Sequence, residues 1–252
     1  MDITSLLGPA MAIGCIIGGM IMEGGHVSSI LQLTAALIVF GGAFGALMVA
    51  YPLADIIYAV KSLGVFLKNP PAKTDEILAD ILDCAATARK ESILALEKKR
   101  EAIRFEPLRQ AVKLAVDGTD PNVIRDTLET SAHVVFEEME VAVKFWEDFG
   151  AIAPTIGILG AVLGLMHVMN NLDKPETIGP GISVAFVATL YGVGAANIFG
   201  IPVGKKIKRK AILDGHARLM VTIGVDGILS GMNPKVIEEK LSCFVHNSHK
   251  KE

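Results

Sequence analysis

Charge is missing from four long stretches of this chain. Residues 3–22, 27–54, 149–172 and 177–204 contain no aspartate, glutamate, lysine or arginine. A helix rises about 1.5 Å per residue and the hydrocarbon core of a bilayer is about 30 Å thick, so roughly 20 apolar residues cross it. We call the four stretches spans 1 to 4, in chain order. They predict a membrane protein and exclude a soluble cleft as the place to look for function.

Cysteine is also scarce. The chain has 3 cysteines, Cys15, Cys84 and Cys243, and their spacing fits neither a disulfide framework nor a zinc site. The sequence contains no serine–histidine–aspartate arrangement and no phosphate-binding glycine loop. We therefore expect that the protein is not an enzyme and that it has no metal, no cofactor and no nucleic-acid partner.

The basic residues are concentrated in two segments. Residues 61–148 hold 13 lysines and arginines and residues 203–252 hold 10, whereas the connection between spans 1 and 2 has none. Basic residues are enriched in cytoplasmic loops, so both segments and the N-terminus are predicted to be cytoplasmic. A basic cluster follows span 4 and is expected to contact anionic lipid head groups. It consists of Lys205, Lys206, Lys208, Arg209 and Lys210.

These patterns divide the chain into four parts and predict an all-α, polytopic membrane protein with a 2 + 2 arrangement of spans. Residues 1–60 hold spans 1 and 2 with a short periplasmic hairpin, and residues 149–204 hold spans 3 and 4. Between them, residues 61–148 form a helical cytoplasmic insert, and residues 205–252 form a cytoplasmic tail.

Helix-start signals support this division. Thr74 with two following acids, Asp120-Pro121 and Asn233-Pro234 each predict the start of a helix. No break is evident from Val134 to Phe149, so the helix that starts at Asp120-Pro121 is expected to continue into span 3.

Small residues form a stripe along each of spans 3 and 4. Such faces let helix backbones approach closely in lipid. The sequence leaves open whether the stripes pack within the chain or receive a helix of another subunit. The stripe residues are Gly157, Gly160, Ala161 and Gly164 in span 3 and Ala185, Ala188 and Gly192 in span 4.

An acidic residue inside a span, which an ion pathway normally needs, is absent. Either the chain conducts nothing, or the titrating group belongs to a partner. The hydroxyl of Thr189 could position water or an ion, although we favour a bond to a carbonyl one turn back. Pro154 and Pro202 mark helix ends or act as hinges. The hydroxyls in spans 3 and 4 include those of Thr155, Ser183, Thr189 and Tyr191.

Three segments together resemble the MotA/PomA family of flagellar motor stator proteins. Residues 153–165 and 184–192 resemble the family's third and fourth spans, and residues 88–97 resemble its rotor-facing segment. The resemblance extends over essentially the whole chain. It implies a ring, a pentamer in the family, around the membrane helices of two MotB-like subunits that carry the ion-binding aspartate. It also implies a multi-pass protein of the bacterial inner membrane that pushes the rotor protein FliG.

The resemblance also assigns roles to residues. Arg89, Lys90 and Glu97 would face the rotor, and their spacing of eight places Arg89 and Glu97 on roughly one helix face. The stripe residues would pack around the partner. The ion pathway and its coupling would use Pro154, Thr155, Thr189, Tyr191 and Pro202.

Sodium-type members carry further threonines where this chain has Ala161 and Ala188. Sodium needs several oxygens to replace its water shell, so the predicted ion is a proton. The nearest alternative is an ExbB/TolQ-like motor subunit, which would have three spans. A small secondary transporter and a structural scaffold are the alternatives from other classes.

Overall fold

Helices dominate the structure, a computed structural model that describes residues 2–68 and 73–246. Those residues contain no strand. The all-α class and the four predicted spans are confirmed, because four helices are long and apolar enough to cross a membrane. They are Ile3–Met22, Val27–Ala50, Pro121–Met169 and Pro175–Leu229.

The first half of the membrane part contains five short to medium helices. Span 2 ends at Ala50, where Tyr51 adopts an extended conformation before Pro52, as expected for a residue that precedes proline. The elements are α1 (Ile3–Met22), a 3₁₀ turn (Val27–Ile30), α2 (Leu33–Ala36), a π-helical turn (Leu37–Gly41), α3 (Gly42–Ala50), α4 (Leu53–Lys61) and α5 (Leu63–Leu67).

After α5, the insert contains three helical elements, and a very long helix follows. The predicted helix start at Thr74 is confirmed, although Thr74 is the first helical residue rather than the cap and no side chain caps this helix. The cap at Asp120 is confirmed, since its carboxylate accepts the N–H of Asn122 at 2.8 Å. The elements are α6 (Thr74–Lys90), a 3₁₀ helix (Ile93–Ala102), α7 (Glu106–Val116) and α8 (Pro121–Met169).

The predicted continuation into span 3 is also confirmed, because α8 runs without interruption from Pro121 to Met169. Span 4 likewise continues beyond its charge-free part. The predicted start of the tail helix is correct, since the Asn233 side chain accepts the N–H of Lys235 at 3.1 Å. The elements are α9 (Pro175–Gly194), a π-helical segment (Ala195–Gly200), α10 (Ile201–Leu229) and α11 (Pro234–His246).

The chain packs as two compact units. The membrane unit takes in residues 1–69 and 139–208, and the second unit takes in residues 70–138 and 209–252. The second unit has its own apolar core, to which α6, the 3₁₀ helix, α7, α8, α10 and α11 all contribute. The largest fully buried side chains of that core are Ile77, Ile81, Leu96, Leu108, Ile124, Met220, Ile237 and Leu241.

An aromatic cluster organises the membrane unit. Phe145, Trp146 and Phe149 of α8 are buried. The Trp146 ring contacts the other two edge to face, with its centroid 5.5 Å from that of Phe145 and 6.0 Å from that of Phe149. The indole N–H of Trp146 donates to the carbonyl of Ala59 at 3.0 Å. A buried indole needs such a partner, so this bond fixes α4 against α8.

Candidate functional site

Spans 3 and 4 lie in backbone contact along their small residues. A Cβ added to Gly192 would lie 2.6 Å from the carbonyl oxygen of Ala153, and one added to Gly157 would lie 2.9 Å from that of Ala188. A Cβ at Gly164 would lie 2.9 Å from the nitrogen of Ala185. The obstacles are backbone atoms, which cannot rotate away. Glycine is therefore required at these positions for the two helices to approach.

The stripes consequently pack against each other within one chain. Gly157, Gly160, Gly164, Ala185, Ala188 and Gly192 are all buried, and Ala161 is half-buried beside them. Of the two arrangements that the sequence left open, the structure shows packing within the chain; the role of these residues around a partner stays a prediction. The physical reason for this packing is that a small face in lipid is satisfied by whichever backbone comes closest, and here that backbone is in the same chain.

A different face of span 3 remains uncovered. Thr155 is exposed, and Ile158, Leu159 and Val162 keep 58%, 56% and 51% of their surface accessible. These residues recur at spacings of three and four, so they share one side of the helix. We call them the uncovered face of span 3. It is the side of span 3 that another helix can reach.

Two predicted ion-pathway hydroxyls make local bonds. Thr189 donates to the carbonyl of Ala185 at 3.2 Å, and Thr155 donates to that of Ile152 at 2.7 Å. Both carbonyls lie about one turn back, which is the arrangement that we favoured for Thr189. Each hydroxyl oxygen still has lone pairs to accept from water or a hydrated ion.

Tyr191 ties span 4 to the beginning of span 2. Its hydroxyl donates to the carbonyl of Ile30 at 2.5 Å and accepts the backbone N–H of Gln32 at 3.2 Å. The Gln32 side chain in turn donates to the hydroxyl of Ser183 at 2.6 Å. The two bonds of Tyr191 satisfy the Ile30 carbonyl and the Gln32 N–H, which lie at the start of α2. An unsatisfied backbone group is costly inside a membrane.

Gln32 was missed by the sequence analysis. Its side-chain oxygen is buried and has no hydrogen-bond partner among the described residues. The signal was present, because Gln32 is the only side-chain amide in spans 1 and 2. It adds a second polar side chain, beside Ser183, to the tie that Tyr191 makes between spans 2 and 4.

The two prolines lie in different settings. Pro154 is inside α8 and half-buried, where it faces Gly192. Pro202 is exposed and is the second residue of α10, the helix that directly follows the π-helical segment Ala195–Gly200. A proline lacks the N–H that would bond four residues back, and a π turn is one way to absorb the change in hydrogen-bond register.

Lys206 fixes the end of span 4 to the beginning of span 1. Its ammonium lies 2.9 Å from the carboxylate of Asp2, donates to the hydroxyl of Thr4 at 2.7 Å and sits 5.5 Å from the ring centre of Phe66. Ser5 adds a bond from its hydroxyl to the Phe66 carbonyl at 2.7 Å. Span 1 is otherwise loosely packed, with 6% of its residues buried.

The predicted rotor-facing residues do not share a helix. Arg89 and Lys90 are the exposed last residues of α6, whereas Glu97 lies in the 3₁₀ helix Ile93–Ala102. The prediction that Arg89 and Glu97 share one helix face is therefore wrong, because it assumed an unbroken helix. The chain turns at Glu91 and Ser92 instead.

The 3₁₀ helix is held by an anchor on each side of Glu97. Leu96 is fully buried, and the ammonium of Lys99 donates to both carboxylate oxygens of Asp83 in α6 at 2.6 and 2.5 Å. Glu97 is exposed and pairs with Arg100 at 3.0 Å. The segment thus presents an ordered set of charges.

Two groups in the same unit have shifted pKa values. Burial raises the pKa of the Cys84 thiol to about 11, and nearby Asp83 adds to the effect. Burial also raises the pKa of Asp80, against the opposing charge of Arg104. Among residues 2–68 and 73–246, histidines, cysteines and acids form no group that could hold a metal ion.

Comparisons with known proteins agree with this architecture. Residues 97–213 match the family model of the MotA/TolQ/ExbB proton channel family, and residues 6–92 match that of the motility protein A N-terminal domain. Motility protein A of Aquifex aeolicus is 33% identical over 97% of each chain. That of Bacillus subtilis is 32% identical over 97% of this chain and 91% of its own length.

Solved structures agree as well. A chain of the structure of C. jejuni MotAB superposes with a TM-score of 0.92 at 32% identity, covering 100% of this chain and 98% of that one. A chain of the flagellar MotAB stator complex from Bacillus subtilis gives 0.88 at 30% identity, covering 98% and 100%.

The fold and the matches define a helical inner-membrane subunit of the proton channel class, which is not an enzyme. Within that class, the chain belongs to the motility protein A family, the flagellar motor stator subunits that couple ion flow to rotation.

Proposed function

We propose that this chain forms the ring of a stator complex, a pentamer around the membrane helices of a MotB-like partner that supplies the ion-binding aspartate. One observation carries the proposal. None of the four spans contains an acidic residue, although ion coupling needs a titrating group inside the membrane. The related structures are MotAB complexes, which supports a partner of this kind.

The partner helix meets the uncovered face of span 3 in this proposal. Thr155 lies on that face, and the face keeps more than half of each large apolar side chain accessible. The small stripes are already filled by each other. Partner binding therefore uses Thr155 and its neighbours, and the stripes set the distance between spans 3 and 4.

The transported ion is a proton. Thr155 and Thr189 supply two hydroxyl oxygens, and Ala161 and Ala188 supply no side-chain oxygen. Sodium transfer requires several oxygens around the ion. A proton needs one acceptor at a time, which the partner's aspartate provides.

Arg89, Lys90 and Glu97 contact the rotor protein FliG from the cytoplasm, where both termini also lie. All three are exposed, and the anchors at Leu96 and Lys99 hold Glu97 in a defined place. Exposed charges of this kind orient a partner and speed its encounter more than they add affinity.

Reconstitution tests whether ion flux requires the partner's aspartate and whether the ion is a proton. Proteoliposomes with this chain alone should show no proton flux, and vesicles with the MotB-like partner should show flux that sodium does not increase. Replacing the partner's membrane aspartate with asparagine should stop it. Flux through this chain alone would contradict the proposal.

Charge reversal tests the rotor contact. Arg89→Glu should lower swimming speed because it places like charges opposite the rotor, and reversal of the facing rotor charge should restore part of it. Lys113→Glu is the matched control, since Lys113 is an exposed cation at the end of α7 in the same unit. Equal motility of the two variants would reject the assignment of Arg89.

A further inference from the structure

An apolar slot of about 490 Å³ lies inside the membrane unit, between α1 and the other spans. Sixteen residues line it, and every one of them is apolar or aromatic. The two polar side-chain atoms in the lining are both engaged, since Tyr191 bonds to Ile30 and Trp146 bonds to Ala59. The slot therefore offers no hydrogen bond to an occupant.

The length of the slot matches one leaflet of a bilayer. Along span 4 it extends from Leu190 to Val203, which is about 20 Å at 1.5 Å per residue. Tyr191 lies at the middle of the charge-free residues 177–204, and Val203 lies at their end. Half of a hydrocarbon core is about 15 Å thick, so the slot runs from the midplane to one surface.

The lining of the slot suits a hydrocarbon chain. An acyl chain is apolar along its length and needs no hydrogen bond, which matches a slot whose polar side-chain atoms are already engaged.

The protein leaves the lining incompletely covered. Ile16, Phe44 and Phe199 keep 51%, 38% and 45% of their surface accessible. Atoms that face an empty gap lose their dispersion contacts, so an occupant that restores these contacts is favoured. The slot is also more than three times the size of the apolar cavity of about 150 Å³ that is known to admit benzene.

The end of the slot at Val203 adjoins basic residues. Lys205 and Lys208 follow on the same helix and are exposed, while Lys206 is held by Asp2. Basic side chains at the end of a span attract anionic lipid head groups. Lys205, Lys208 and this end of the slot therefore lie at the same membrane surface.

We propose that the slot binds one acyl chain of an anionic phospholipid from the leaflet next to Lys205 and Lys208. The chain fills the space between α1 and span 4, and the head group lies near the two lysines. The bound lipid acts as a structural filler that supports the loosely packed first span. This inference does not depend on the ion or the rotor assignments.

Trp146 provides a direct readout, because it lines the slot and is the chain's only tryptophan. The experiment adds phosphatidylglycerol with brominated acyl chains to delipidated, detergent-purified complex, at one lipid per chain. Bromine quenches indole fluorescence on contact. One lipid per chain is too little to surround the protein, so quenching at this ratio reports a lipid bound near Trp146. We expect strong quenching of Trp146, and none with the unbrominated lipid.

A blocked slot supplies the comparison. The variant Gly194→Phe with Ile198→Phe places two rings across the slot, and a Cβ at Gly194 meets no atom within 4 Å. The matched control is Gly45→Phe with Val49→Phe, which has the same spacing on an open face of α3. Native mass spectrometry should show at least a tenfold loss of bound lipid in the blocked variant alone.

Several results would overturn the proposal. If the fluorescence of Trp146 in the wild-type complex is not quenched, the proposal is wrong, and this result needs no variant. It would indicate that the slot is empty or is filled by a second copy of the chain. Equal lipid retention in the blocked and control variants would also refute it. Equal binding of phosphatidylcholine would refute the part assigned to Lys205 and Lys208. Elution on size exclusion confirms that each variant is folded.

Discussion

The contact between spans 3 and 4 makes a sharp prediction for a single methyl group. In Gly192→Ala the new Cβ would lie 2.6 Å from the carbonyl oxygen of Ala153 and 3.1 Å from the Cα atoms of Pro154 and Gly157. Ordinary van der Waals contact begins near 3.4 Å, so the new Cβ and the Ala153 oxygen must move apart by about 0.8 Å. The backbone atoms involved can move only if the two helices move apart. Such overpacking costs about 1–3 kcal/mol.

Gly194→Ala is the matched control. It lies two residues further on, and its Cβ would meet no atom within 4 Å. Both substitutions gain about 1 kcal/mol of helix propensity, so their difference isolates the cost of overpacking. Thermal unfolding in detergent should place Gly192→Ala several degrees below Gly194→Ala, at about 2–4 °C per kcal/mol for a chain of this size. Equal midpoints and equal motility would refute the close packing of these spans.

Two further predictions concern buried groups. Tyr191→Phe leaves the Ile30 carbonyl and the Gln32 N–H without the hydroxyl and should cost about 2–6 kcal/mol of stability, whereas Thr189→Val should cost below about 1 kcal/mol. A denaturation assay in which Thr189→Val is the less stable variant would reject the role of Tyr191. In a Cys15→Ala background, which removes the other exposed cysteine, maleimide at pH 8 should label exposed Cys243 and leave Cys84 unlabelled until urea is added. The fold favours the neutral Cys84 thiol, so its contribution to stability is complete below pH 9 and is lost as pH rises through about 11. Labelling of both cysteines at one rate in the native protein would refute this burial.

Membrane crossing could be predicted from the sequence because it depends on local composition. A stretch without charge either spans the bilayer or is buried, and four such stretches gave the number of spans. The continuity of α8 was visible for the same reason, since no glycine or proline interrupts Val134 to Phe149. Asp120 with Pro121 marked its start, because an acceptor followed by a proline suits only the first turn of a helix.

Contacts between distant residues could not be predicted in this way. The turn at Glu91 and Ser92 depends on the packing of Leu96 and on the bond from Lys99 to Asp83, and no periodicity reports either. The bond of Tyr191 to the start of span 2 joins residues about 160 positions apart. Pattern reasoning could name Tyr191 as a polar group in an apolar span but not the group it meets.

The clamp at Lys206 has a consequence for biogenesis. Span 1 emerges from the ribosome first, yet the lysine that holds its beginning is made about 200 residues later. Before then, the bonds of Asp2 and Ser5 to the end of α5 can already form. The anchor at Lys206 therefore closes only after span 4 has been made, and a fusion at Asp2 should interfere with this late step of assembly.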